Sequence, residues 1–108
     1  MLYELRIYHA APGKLQAQIK RFENITLKLW EKHGIRQIGF WTSMISASNN
    51  DIYYILEWEN LAEREQRWTA FMEDPEWILA KAETEKDGPL TTHITNIILA
   101  PTSFSKLK

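Results

Sequence analysis

The chain has no cysteine, which excludes disulfides, thiol nucleophiles and thiolate metal sites together and suits a reducing compartment. Glycine and proline are scarce, four of each in 108 residues, and they are scattered. No glycine-rich phosphate loop, nucleophile elbow or low-complexity linker can be drawn from them. An excess of one charge is missing too: 13 basic residues face 14 acidic ones, a net charge of −1. That balance gives no electrostatic footprint for nucleic acid or an anionic membrane. No apolar run approaches the ~20 residues needed to cross a bilayer. A strand pattern starts at Leu2, leaving no room for a signal peptide, so a cytoplasmic protein is expected.

What the chain has instead is aromatic mass: five Trp, four Tyr and four Phe. Such a surplus is core material first, and it also suits an apolar ligand pocket or an interface. The length fits one domain, 1–108, that buries its core without staples.

The stretch Asn60 to Trp77, NLAEREQRWTAFMEDPEW, carries the clearest local signals. Asn60 is placed to cap a helix, and Glu63 to close the capping box three residues later. Leu61, Arg64, Trp68, Phe71 and Met72 recur at helical spacing, so Trp68 and Phe71 are expected against the core. Asp74 then caps a second helix with Pro75 at its first position, where a missing N–H costs nothing. Upstream, Leu2 to His9 alternates as a strand, and Ala11-Pro12-Gly13 turns the chain. Leu15, Ile19, Phe22, Leu29 and Trp30 mark one stripe of a long helix ending near His33, with Gly34 as its C′ residue. Ile35 to Ala47 reads as a second strand, Ser48 to Asp51 as a hairpin loop, and Ile52 to Glu59 as a third strand. Asp87-Gly88-Pro89 ends the broken helix, and Thr91 to Ala100 is the last strand.

The order β-α-β-β-α-β predicts an α+β, ferredoxin-like fold, a four-stranded antiparallel sheet with helices on one face. The other face needs cover. On the first strand we assign Leu2, Glu4, Arg6 and Tyr8 to it, with Glu4 and Arg6 pairing across a two-fold interface. On the later strands both sets are apolar: Trp41 and Ile45 against Ile38 and Phe40, Tyr54 and Leu56 against Tyr53 and Ile55, Ile97 and Leu99 against Ile94 and Ile98. Either set left in water makes a patch larger than monomers usually carry, so a homodimer is expected, with Phe104 laid on the partner.

Several tags occur in order along the chain: YELRIY (Tyr3 to Tyr8) then PGKL, HGI leading into GFW (His33 to Trp41), LAERE followed by Trp68, DPEW, and APTSFS near the end. This series resembles the NIPSNAP family of small α+β proteins. The resemblance implies a dimeric α/β barrel, related in architecture to small antibiotic-biosynthesis-type monooxygenases. It implies no agreed reaction.

The candidate chemistry is sparse. His9, His33 and His93 show no spacing that sets two on one metal, so no metal is expected. His33 reads either as a helix C-terminal cation or as a pocket residue. Arg6, with Glu4 and Tyr8, reads as a cross-strand pair or as a carboxylate-binding group. Arg64 is expected to pair with Glu57 or Glu59. Trp41, Trp58 and Trp68 either fill the core or wall a cavity between helices and sheet. Three functions follow. The first is a module with no assigned reaction that binds a small apolar or aromatic molecule through Arg6, Tyr8, His33, Trp41, Tyr54, Trp58 and Trp68. The second is a cofactor-independent monooxygenase or isomerase using Tyr8, His33, Tyr54 and Trp41. The third is haem binding, which only a histidine could support. No cofactor is expected for the first two.

Overall fold

The computed structural model describes residues 1–108 and follows the expected element order. The strands are β1 (Leu2–Ala10), β2 (Arg36–Thr42), β3 (Asp51–Trp58) and β4 (Thr91–Leu99). They form one antiparallel sheet in the order β2-β3-β1-β4, the ferredoxin-like arrangement. The first helix is continuous but has three parts: α1 (Leu15–Arg21), a π-helical stretch (Phe22–Thr26) and α2 (Leu27–His33). The wider π turn delays the stripe, so Phe22, Thr26, Leu29 and Trp30 all reach the interior. α3 (Leu61–Met72) and α4 (Pro75–Thr84) complete the chain.

The helix ends obey their local chemistry. Asn60 Oδ1 accepts from the Glu63 N–H at 2.8 Å, while Glu63 Oε1 accepts from the Glu59 N–H at 3.0 Å. The box therefore closes one residue earlier than expected. Asp74 Oδ1 accepts from the Glu76 N–H at 2.8 Å, with Pro75 following the cap. Gly34 has φ 71°, the left-handed C′ position, and a Cβ there would run into the Arg67 guanidinium. Arg67 Nη1 donates to the His33 carbonyl at 3.0 Å, which satisfies a helix-end acceptor.

The core lies between helices and sheet. Tyr54, Leu56 and Trp58 of β3 have no exposure, and Phe22, Leu29, Trp30, Phe71 and Trp77 pack onto them. Tyr54 packs edge-on to Phe22, with ring centroids 5.4 Å apart, and stacks on Phe40 at 4.7 Å.

Several expectations need correction. The register sets Glu4 opposite Leu56, Arg6 opposite Tyr54 and Tyr8 opposite Ile52, so all three lie on the helix-covered face. The free face carries Tyr3, Leu5 and Ile7 instead. The alternation was read correctly and its phase was not, because a buried Glu looks improbable until its donors are known. β2 stops at Thr42, five residues short, because Ser43, Ser46 and Ser48 bond one another and build a loop running to Asn50. Leu61 and Met72 are exposed, since α3 touches the sheet through a narrower stripe. Trp68 is only half-buried. Accordingly, Phe71→Ala should cost ~3–5 kcal/mol and Trp68→Ala under ~3 kcal/mol in urea titration. The reverse order would make Trp68 the helix anchor.

Candidate functional site

Five of the seven residues singled out from the sequence meet under α3. Glu4, at the middle of the covered face, is fully buried and surrounded by donors. Its Oε1 accepts from Arg64 Nε at 2.7 Å and Trp58 Nε1 at 3.1 Å. Its Oε2 accepts from Arg6 Nη1 at 2.9 Å, Arg64 Nη2 at 3.0 Å and Asn96 Nδ2 at 3.2 Å. Five donors fill about all the lone-pair sites a carboxylate has. Arg64 therefore pairs with Glu4, neither with Glu57 nor with Glu59. Glu57 takes Arg36 instead, at 3.2 Å.

Arg6 is held on every side. Its Nε donates to the Tyr54 hydroxyl at 2.7 Å and its Nη2 to the Tyr8 hydroxyl at 3.4 Å. Its guanidinium carbon lies 4.4 Å from the Trp68 ring centroid, a cation–π contact in a largely dry site. Burial raises the Tyr54 phenol well above its ordinary value, assisted by Tyr8 and opposed by Arg6. The Tyr54 hydroxyl oxygen, by accepting from Arg6, positions the guanidinium.

The remaining two residues lie elsewhere. His33 ends α2, and its Nε2 is 2.7 Å from Asp74 Oδ2, joining the first helix to the cap of α4. Hydrogen bonds from His33 and Lys32 hold the Asp74 carboxyl well below the usual range. Trp41 sits opposite Tyr53, on the face away from the helices, and folds back over Gly39. It is 52% exposed, so it neither fills the core nor stands beside Trp58 and Trp68.

Trp41 does line the largest cleft. This opening of about 590 Å³ lies between the π-helical stretch and β2, with Ile19, Phe22, Phe40 and Ile52 among its walls. Glu23, Gln37 and Thr42 are its polar residues. A register shift between Gln37 and Gly39 lies in β2 beside it. Sequence reading missed the cleft, because neither the π turn nor the shift has a signature in residue type.

No three His, Asp or Glu side chains converge as metal ligands. No helix is long and apolar enough to cross a membrane. Together the sheet order, the charged cluster and the edge cleft define a ferredoxin-like α+β protein with an aromatic helix–sheet interface. The NIPSNAP family profile matches residues 3–106, and the chain belongs to that family. Mouse protein NipSnap homolog 3B is 31% identical over 75 residues, covering 69% of this chain and 30% of that protein. The chain thus spans about a third of the length of the curated relatives it matches. A NIPSNAP family protein of unknown function from Agrobacterium tumefaciens is 29% identical over 100% of this chain and 94% of its own, with a TM-score of 0.86. A candidate antibiotic biosynthesis monooxygenase from Nitrosomonas europaea shares the fold, with a TM-score of 0.62 over 94% of this chain and 98% of its own, at 10% identity.

The cluster predicts a pH dependence. Burial pushes the Glu4 carboxyl up, but hydrogen bonds from Arg64 and Arg6 outweigh it and hold the group at about 2. A depressed carboxyl contributes its stability above its ordinary value of 4.5 and loses it as pH falls toward about 2. Glu4→Gln should cost ~3–5 kcal/mol at neutral pH, since it strands two guanidinium groups. Urea titrations from neutral pH downward should show that deficit shrinking below 4.5. A deficit independent of pH would remove Glu4 as the titrating group.

Proposed function

We propose that the protein is a homodimeric binding module that takes a small apolar or aromatic molecule between helices and sheet, at the cleft beside Trp41. The supporting observation is the cleft itself, open to the surface and walled by Phe22, Phe40, Trp41 and Ile52. A half-exposed Trp at its mouth can close over a flat ligand without disturbing the core. Tyr8, Tyr54, Trp58 and Trp68 are absent from its lining and serve instead to fix Arg6 and Glu4. Trp41→Ala should weaken capture of probes such as indole or naphthol by about 10-fold and change stability by less than ~1 kcal/mol. Equal capture by both proteins would remove the cleft from this role.

The dimer rests on the free sheet face. Leu5 and Ile7 of β1 share it with Tyr53 and Ile55 of β3 and with Ile97 and Leu99 of β4, while Tyr3 on the same side is already buried in the single chain. Trp41 stands at its edge and Phe104 follows beyond β4, both exposed. A two-fold partner presenting the same face buries this patch in an isologous contact, expected to exceed ~1,600 Å² in total. Glu4 and Arg6 take no part, being under the helices. Sedimentation at low micromolar concentration should show a dimer, and a 12.8 kDa species there would rule it out.

Likeness in fold to a candidate monooxygenase raises a second reading, a cofactor-independent monooxygenase or isomerase. Its proton-handling group would be Glu23, the carboxylate in the cleft's lining. Oxygen uptake or isomerisation of a captured aromatic, lost in Glu23→Gln, is the result that favours it.

A further inference from the structure

Four of the chain's charge clusters involve its five arginines or the α2–α4 junction, and one of them does not balance. Arg21 pairs with Glu85, and Arg36 and Arg67 share Glu57 and Glu63. Lys32 meets Asp74 and Glu76, with His33 alongside on Asp74. Arg6 and Arg64, by contrast, share the single carboxylate of Glu4 and have no other acidic group within salt-bridge distance. Both other partners of Arg6 are neutral phenols. One unit of positive charge is thus unmatched in a site where Arg6 is nearly buried and Arg64 is half-buried. Arg6 holds its charge at a cost in a largely dry position, and an anion at the more open Arg64 head would offset the surplus.

The geometry says where the anion would sit. Arg64 commits Nε and Nη2 to Glu4, while its Nη1 donates to no protein group. Asn96 Nδ2 meets the same Glu4 oxygen as Arg64 Nη2, so the guanidinium head stands beside β4. Ile94 and Ile98 flank Asn96 on this face and lie opposite Tyr8 and Glu4. No helix covers them: they are 44% and 41% exposed. An apolar shelf therefore adjoins an unmatched cation, with Trp68 one turn along α3 from Arg64.

We propose that this flank is a second binding site, for a small monocarboxylic acid with an aliphatic or aromatic body. The carboxylate meets Arg64 Nη1, and the body lies on Ile94, Ile98 and the edge of Trp68. The site is separate from the cleft at β2, from which the wall of Phe22, Phe40 and Tyr54 divides it.

The test compares benzoate, phenylacetate, hexanoate and decanoate with their amides, using calorimetry and tryptophan emission on the full chain. At least one acid should bind about 10-fold more tightly than its amide, the ratio expected when a charged hydrogen bond is gained. Arg64→Gln should bring that ratio to about one. Ile98→Glu does the same without touching the core, because a tethered carboxylate then occupies Arg64. Trp41→Ala should leave the ratio unchanged. Acids and amides that bind alike overturn the carboxylate site, and loss of that binding in Trp41→Ala leaves the cleft standing. A preference that survives both Arg64→Gln and Ile98→Glu places the cation elsewhere and overturns it as well. No acid binding at about 10 mM, with a dimer that loosens in Arg64→Gln, overturns it in favour of a carboxylate from a second copy.

Discussion

A carboxylate without any solvent exposure, on the central part of the sheet, constrains nearly everything around it. Glu4 cannot stay ionised unless donors replace the water it has lost, and five do so. Those donors come from β1 itself, β3, α3 and β4. The requirement therefore ties one helix and three strands to a single point. Apolar packing alone allows a helix to slide or rotate over a sheet at modest cost. The two-point contact of Arg64 with Glu4 does not, because a guanidinium fork meets a carboxylate in few orientations. α3 is located by that contact, and Phe71 then falls over Trp30 and Trp77.

The remaining helices follow from this placement. Asp74, the cap of α4, also binds Lys32 and His33 at the end of α2, so these two helices are linked at one corner of the sheet. Between that corner and Glu4 the interface is aromatic: Trp30, Tyr54 and Phe71 with Phe22 and Phe40. Edge-to-face and stacked pairs fill this region with little need for polar partners. The covered face thus has a charged side toward β4 and an apolar side toward β2.

The fold was legible in the sequence wherever a local rule decides it. The caps at Asn60 and Asp74 and the αL glycine at Gly34 depend on neighbours a few residues away, and each stands where its residue type put it. Strand alternation was legible as well, giving four strands and their order. Its phase on β1 was not, because the residues that make a buried Glu4 tolerable lie 54, 60 and 92 positions away. No local pattern reports them. The same limit hid the arrangement of the candidates: Tyr8, Tyr54 and Trp68 gather around Arg6, while the cleft beside Trp41 depends on a π turn and a strand irregularity. Aromatic residues announce that a surface is buried or sticky. They do not announce which side of a sheet they take, and Trp41 took the side opposite to Tyr54.

The uncovered fourth strand follows from the same constraint. Because Arg64 must reach Glu4, α3 lies over β1 and β3, and the helices meet β4 only at its start, where Gln18 Nε2 donates to Thr91. Ile94 and Ile98 are left open on one face while Ile97 and Leu99 are open on the other. A strand with apolar residues exposed on both faces is unstable as an isolated edge, since it invites pairing and aggregation. Its two faces also meet different surroundings. The outer one continues the apolar row of Tyr3, Leu5 and Ile7, which only another large apolar surface can match. The inner one ends at a guanidinium with an unmatched charge, which an apolar surface alone would leave stranded. One partner chemistry cannot suit both sides, so the position of a single buried carboxylate gives the two faces of this edge opposite requirements.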